Sequence, residues 1–314
     1  MTQKVLVSAP HFISVIDRFR EWLEKNNIEI IVPPVYERLS ENELLQLICD
    51  VDGVLCGDDQ FTARVLDAAP KLKVISKWGT GIDSIDAHTA EKLGIRVCRT
   101  SNAFTEPVAD TIMGYILCFA RNIVSMDKLM KGGIWKKIHG YSLGESTIGV
   151  IGVGAIGSAV LRRARPFGAK LLGTDIREVH SGHVDALGVK MVSLHELLLR
   201  SDFVSLNCDL NHSSHHLINA AGLNCMKPSA YLINCARGPC VDEKALITAL
   251  KAGKIAGAAL DVFEEEPLPD DSPFRSMDNV LLAPHASNAS RSAWEYVHHN
   301  TLNQLLDGLR NVKR

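Results

Sequence analysis

A chain of 314 residues has room for about two domains, and its 46% hydrophobic and 22% charged content is that of an ordinary folded protein. A formal net charge of −2 and the lack of a polybasic stretch exclude a partner held by a basic field, nucleic acid above all. No apolar run reaches the roughly 18 residues of a membrane span, and the first residues run straight into a strand with no secretory signal. The eight cysteines contain no C-x-x-C pair, so reduced thiols in a cytoplasmic α/β enzyme are expected.

Residues 4–7 read as a first strand, and 12–25 space Ile13, Ile16, Phe19, Trp22 and Leu23 as one amphipathic helix. Residues 28–32 are strand-like and stop at Pro33-Pro34. Then come a helix at 41–49, a strand at 51–56, a helix at 62–69, a strand from Val74 into W-G-T-G, a helix at 85–93 and a strand at 95–99. Repeated βα units imply a parallel sheet with helices on both faces. Residues 106–130 read as one long helix with Pro107 in its first turn, only Gly114 inside it and Gly132-Gly133 at its end. Placed between two α/β units, it is a candidate interdomain connector.

Residues 147–175 form the next unit: an apolar strand, Gly152, Gly154 and Gly157 at G-x-G-x-x-G spacing, a helix at 155–167, and a second strand leading to Asp175. This is the order of a dinucleotide-binding βαβ unit. Gly152 permits the tight turn, Gly154 brings the backbone close to a pyrophosphate, and Gly157 lets the helix lie against the strand. Ala155 and Ile156 open that helix, whose N-terminus offers N–H groups to the anion. Asp175 suits the two ribose hydroxyls of NAD and repels the 2′-phosphate of NADP, although Arg177 follows two residues on. NAD is therefore the expected cofactor.

Beyond Asp175 a strand at 189–192 and a helix at 193–199, capped by Ser193 with Glu196 three residues on, resume the pattern. Residues 203–208, 231–235, 258–262 and 280–283 read as strands, 242–251 as a helix capped by Asp242, and 290–309 as a closing amphipathic helix. Three strand ends concentrate polar residues: Asn234-Cys235-Ala236-Arg237-Gly238, Asp261 to Pro267, and Pro284-His285-Ala286-Ser287. In an open α/β sheet ligands bind outside the carboxyl ends of the strands, on the side of the glycine turn.

These stretches, I-N-C-A-R-G-P-C-V-D, A-L-D-V-F-E-E-E-P and N-V-L-L-A-P-H, with G-V-I-G-V-G-A-I-G upstream, resemble the NAD-dependent D-2-hydroxyacid dehydrogenases, in their phosphoglycerate-dehydrogenase-like branch. The resemblance implies two Rossmann-like doubly wound domains. A flavodoxin-like catalytic, substrate-binding domain would span 1–97 and 288–314, and an NAD-binding domain 98–287. It implies Arg237 as the cation on the substrate carboxylate, His285 as general acid/base and Glu266 as the group orienting the imidazole. It places Cys208, Cys235, Ala236, Asp261 and Thr80 at the cofactor, and Lys77 and Gly79 at the substrate. It further implies a homodimer built on the nucleotide-binding domain, a small-molecule substrate and no metal. Asn211 to His216, although rich in histidine, is expected to be a solvent-exposed, non-functional loop.

The chain departs from the family in two places. Gly57-Asp58-Asp59-Gln60 stands where the phosphoglycerate-specific members are basic and hydroxyl-rich, so two carboxylates would repel a phosphorylated substrate unless Lys77 or a residue of a neighbouring subunit compensates. Asp209 replaces a family proline. Oxidoreduction of a small D-2-hydroxy or 2-keto acid is the leading reading. The alternatives are D-3-phosphoglycerate dehydrogenase and, outside catalysis, an NAD-sensing corepressor of the same fold.

Overall fold

The computed structural model describes residues 2–310. The strands are β1 (Gln3–Val7), β2 (Ile28–Ile31), β3 (Gly53–Cys56), β4 (Val74–Lys77), β5 (Arg96–Arg99), β6 (Thr147–Ile151), β7 (Lys170–Thr174), β8 (Lys190–Met191), β9 (Phe203–Leu206), β10 (Tyr231–Asn234), β11 (Gly257–Leu260) and β12 (Val280–Leu282). The helices are α1 (Pro10–Ile13), α2 (Arg20–Lys25), α3 (Glu41–Leu47), α4 (Ala63–Asp67), α5 (Ala87–Lys92), α6 (Thr105–Ala120) and α7 (Ile123–Lys131). They continue with α8 (Ala155–Ala164), α9 (Ser181–Leu187), α10 (Leu194–Arg200), α11 (Ala220–Cys225), α12 (Glu243–Lys251) and α13 (Arg291–Arg310). Residues 2–103 with 290–310 form one compact unit, and 104–289 the other.

The first unit is a five-stranded sheet in the order β2-β1-β3-β4-β5, with every pair parallel. The order reverses between β1 and β3, the switch point of a doubly wound sheet. Leu6, Val54 and Ile75 bury one sheet face against Leu44, Ile48, Phe61 and Val65. The C-terminal helix α13 packs on β3 and β4. A Cβ at Gly308 would come within 2.4 Å of the Val74 side chain, so the helix lies nearly on the strand. Ser76 Oγ donates to Thr301 O (2.8 Å), Asn300 Nδ2 to Thr100 Oγ1 (2.9 Å), and the Trp78 indole N–H to His298 Nδ1 (3.0 Å). Burial holds the His298 imidazole below its usual pKa, consistent with a neutral ring that accepts. The unit runs past residue 97 because β5 completes its sheet and Thr100 N donates to Gly79 O (2.8 Å).

Two expected helices are broken. Residues 10–25 comprise α1, a 3₁₀ turn at Ile16–Phe19, and α2. Phe12, Ile16, Phe19 and Leu23 are still buried, so the apolar spacing served the core without one continuous helix. The long helix expected at 106–130 is α6 and α7, bent by 59°. Asn122 sits at φ +52°, a left-handed conformation that asparagine tolerates, and its amide donates to His139 O (2.9 Å). Tyr141 N donates to Ala120 O (2.7 Å), so the returning segment at 139–141 caps the end of α6. No single helix among the described residues is long and apolar enough to cross a membrane.

The second unit is a seven-stranded parallel sheet in the order β12-β11-β10-β9-β6-β7-β8, whose order reverses between β6 and β9. All four residues of β9 and of β11 are buried, as in a sheet covered on both faces. Helix α6 packs against α8, with Arg163 reaching Glu106 and Asp110. Ser193 accepts from Glu196 N, and Asp242 from Ala245 N (2.9 Å), which fixes the starts of α10 and α12. Helices α9 and α11 were not expected, although Asn219 caps α11 through Ala221 N and Gly222 N.

Candidate active site

The glycine turn lies at the carboxyl end of β6. Gly152 has φ +87°, and a Cβ there would meet Asn207 O at 2.8 Å. A Cβ at Gly157 would lie 2.0 Å from Gly152 O, so α8 starts against the turn only because residue 157 has no side chain. Around Gly154, in contrast, a Cβ would meet only the Arg177 guanidinium, at 3.7 Å. That open space faces the start of α8, where the first-turn N–H groups of Ala155, Ile156 and Gly157 lack intrahelical acceptors. A pyrophosphate suits it.

Asp175 follows β7, with its side chain only 5% exposed. It accepts from Val153 N (2.9 Å), Arg177 N (2.9 Å) and Arg177 Nε (3.3 Å). Burial works against its charge, but the hydrogen bonds from Arg177 and Val153 outweigh burial and hold the carboxyl below its ordinary pKa. Arg177 is therefore already committed to Asp175, and the charge of Asp209 acts on it too. Cys208 follows β9 beside the Gly152 turn, and Cys235 follows β10. A hydrogen bond with Cys240 and then burial push the Cys208 thiol far up; burial and then Asp261 do the same for Cys235. Both stay neutral thiols.

Three neighbouring strand ends carry the remaining residues of this unit. Asn234 ends β10, is 1% exposed, accepts from Ala236 N (3.1 Å) and donates to Arg237 O (2.9 Å). It shapes the turn that presents the half-buried Arg237, whose guanidinium donates to Ala236 O (2.9 Å). A Cβ at Gly238 would fall 1.9 Å from the Phe263 carbonyl carbon, so the Arg237 turn is pressed against the segment carrying Glu266.

His285 follows β12 at φ +49°, and its N–H donates to Asp261 O (2.7 Å). Its Nδ1 lies 3.0 Å from Glu266 Oε2, while Glu266 Oε1 accepts from Phe263 N (2.9 Å). The carboxylate thus grips backbone with one oxygen and the imidazole with the other. The fully buried Asp261 accepts from Ala286 N (2.8 Å) and Ser287 N (3.0 Å), so its carboxylate holds the loop that carries His285. Asp261, which the resemblance places at the cofactor, and Asn234, which no site assignment included, both act here as positioning residues. The only signal of Asn234 is a polar residue at the end of a buried strand.

In the first unit, Lys77 ends β4 and is buried, and Thr80 Oγ1 donates to Thr100 O (2.8 Å). The two carboxylates expected to repel a phosphorylated substrate do not act as a pair. Asp59 is fully buried and accepts from Ser8 Oγ (2.5 Å), Leu39 N (2.6 Å) and Gly57 N (3.2 Å). Its role is to brace loops. Burial pushes its carboxyl up while those bonds oppose the shift. Asp58 pairs with Lys77 Nζ at 3.0 Å.

The histidine-rich loop is likewise not simply solvent-exposed. Ser214 is buried and donates to Asp209 O (2.6 Å), and His216 Nε2 lies 2.8 Å from Glu264 Oε1. The loop is tied to the acidic segment that leads to Glu266. Among the described residues, no group of three or more His, Cys, Asp or Glu side chains is placed to hold a metal ion.

Residues 113–287 match the family model for the D-isomer specific 2-hydroxyacid dehydrogenase NAD-binding domain. The chain is 45% identical over 261 residues to a glyoxylate reductase of Thermofilum pendens, covering 81% of this chain and 77% of the relative. It is 41% identical over 259 residues to a D-3-phosphoglycerate dehydrogenase of Methanocaldococcus jannaschii, covering 81% of this chain and 49% of that one. The crystal structure of a D-lactate dehydrogenase from Aquifex aeolicus, complexed with NAD and lactic acid, superposes with a TM-score of 0.88 at 26% identity, over 98% of this chain and 96% of that one. With a glycine turn that fits a pyrophosphate and an acid at the next strand end, the chain belongs to the D-isomer specific 2-hydroxyacid dehydrogenase family and is an NAD-dependent oxidoreductase of 2-hydroxy and 2-keto acids.

Proposed function

We propose that the chain reduces small 2-keto acids, glyoxylate and hydroxypyruvate foremost, with His285 giving the proton to the C2 oxygen. The observation that carries this reading is the Glu266–His285 contact of 3.0 Å, at the strand ends of the sheet that bears the glycine turn. The similarity to a glyoxylate reductase supports the choice of substrate.

Gly152, Gly154, Ala155, Ile156, Gly157 and Asp175 would hold the dinucleotide, with Cys208, Cys235, Ala236, Asp261 and Thr80 contributing further contacts. Bound NADH supplies the hydride. Arg237 holds the substrate carboxylate and polarises the keto group, a task suited to a guanidinium that is always charged and forks onto two oxygens. Glu266 accepts from Nδ1 of His285, which leaves Nε2 to carry the transferable proton. Asp261 keeps the His285 loop in place. Lys77 and Gly79 are assigned to the substrate, the unit of residues 2–103 and 290–310 to substrate binding, and the unit of residues 104–289 to NAD. The reaction is checked by following NADH absorbance with a panel of 2-keto acids. Turnover of glyoxylate or hydroxypyruvate is expected; NADH binding with no turnover of any 2-keto acid refutes the enzyme assignment and returns the corepressor alternative.

The reading extends to a cytoplasmic homodimer formed through the nucleotide-binding unit. No residue of α7 is buried, yet Ile123, Val124 and Met130 are apolar, and Ile134, Trp135 and Tyr141 beyond it are exposed. Covering such a surface favours self-association. Light scattering should give twice the 34.4 kDa chain mass; a monomer at micromolar concentration would remove this part of the proposal.

A further inference from the structure

We propose that His216 is a positioning residue for the acid/base pair: its imidazole anchors Glu264, and so fixes the turn from which Glu266 reaches His285. The inference rests on the 2-keto acid reductase reading above and adds one residue to the machinery of that site. His216 comes from the histidine-rich loop, to which that reading gave no part.

The turn that carries Glu266 is not held by regular structure. It lies between β11 and a 3₁₀ turn at Pro273–Ser276. Within it, Glu266 Oε1 accepts from Phe263 N (2.9 Å), which leaves Oε2 for His285. Glu264 ties this turn to the rest of the unit. Its N–H donates to Glu243 Oε1 (2.8 Å) at the start of α12, and its own Oε1 lies 2.8 Å from His216 Nε2 and 3.4 Å from Glu243 N. An ionised carboxylate only accepts, so His216 is the donor in that contact.

Like charge works against the turn. Burial pushes the Glu243 carboxyl above its ordinary pKa, and the charges of Glu264, Glu266 and Glu265 push the same way, while the N–H of Glu264 opposes them. Such repulsion drives the acidic segment away from α12, and the His216 donor holds it there.

His216 is placed for this by its own loop. Its φ is +48°, a left-handed conformation uncommon for a residue with a side chain. Its N–H donates to Pro239 O (2.8 Å), in the 3₁₀ turn at Gly238–Cys240 that follows Arg237, and its ring stacks on His215 with centroids 4.1 Å apart. Backbone and side chain of one residue thus tie the loop after β9 to both the Arg237 turn and the Glu266 turn. The His216 and Glu264 side chains are 38% and 32% exposed. A pair so open to water adds little to the stability of the fold, so the contact acts locally, on where Glu266 sits.

The test measures kcat, KM for glyoxylate, KM for NADH and the melting temperature in His216→Gly, His216→Gln, Glu264→Ala and the double variant His216→Gly, Glu264→Ala. Glycine suits the left-handed backbone, so His216→Gly removes the donor and leaves the loop its conformation. Its kcat should fall by about fivefold to tenfold, as a small misplacement of an acid/base pair requires, with its melting temperature close to that of wild type. Both KM values should stay within about twofold, because neither ligand touches His216. His216→Gln, whose amide nitrogen reaches about as far as Nε2, should recover part of the loss. Glu264→Ala should reproduce it, and the double variant should be no slower than either single one, because the two residues act through one contact. Should His216→Gly fold poorly, His216→Asn, which also tolerates the left-handed backbone but is too short for Glu264, carries the same expectation. A wild-type kcat in His216→Gly, a loss that falls on either KM, or losses that multiply in the double variant overturn the inference. A wild type that reduces no 2-keto acid refutes the reading on which it rests, and the inference falls with it.

Discussion

Replacing His285 with alanine should lower turnover of a 2-keto acid by about a thousandfold, within the range that a positioned acid/base group contributes. Affinity for NADH should change little. The two effects separate because His285 is fixed at the end of β12 by Glu266 at its ring and by its backbone N–H on Asp261 O, whereas the glycine turn and Asp175 sit at the ends of β6 and β7. On the proposed reading, removal of the imidazole would take away the proton donor and leave the glycine turn and Asp175 in place. Glu266→Gln should cost less, because an amide can still accept from Nδ1 while withdrawing only the charge. The measurements are steady-state turnover and a fluorescence titration with NADH. A His285→Ala protein within tenfold of wild type would refute the role given to this residue.

Arg237→Ala should lower kcat/KM by about a hundredfold or more, through both a higher KM and a lower kcat, since the same cation is proposed to hold the carboxylate and polarise the keto oxygen. Asn234 builds the turn beneath it through Ala236 N and Arg237 O, so the side chain can be cut back without dismantling its support. Arg237→Lys should recover only part of the loss, because an ammonium is a point charge that cannot fork onto two oxygens. Added guanidinium ion at millimolar concentration should rescue Arg237→Ala more than Arg237→Lys. A full-strength Arg237→Ala enzyme, or a loss confined to NADH affinity, would show that the residue does not contact the substrate.

The identity of the strands was legible because parallel strands buried on both faces leave largely apolar runs such as Ile148–Ile151 and Phe203–Leu206, broken only by Ser205. The cradle was legible because its requirements are steric and local: Gly157 must lack a Cβ for α8 to begin where it does. Helix continuity was less so. The spacing in 106–130 holds through Asn122, and the break depends on His139 and Tyr141, residues some twenty positions away whose hydrogen bonds end α6. Nothing in the local sequence records that capping.

Charge was least legible of all. The sequence alone determined that Asp58 and Asp59 are two carboxylates in one loop; only tertiary structure decided that one is buried beneath Ser8 and Leu39 and the other spent on Lys77. In the same way, the family resemblance singled out Arg237, Glu266 and His285 at the strand ends, but the 3.0 Å contact between the last two depends on neighbouring strands and on the Asp261 clamp. Backbone sterics and apolar periodicity act within a few residues and can be read in order. The effective charge of a side chain is set by what lies within a few ångströms of it, and those neighbours come from anywhere in the chain.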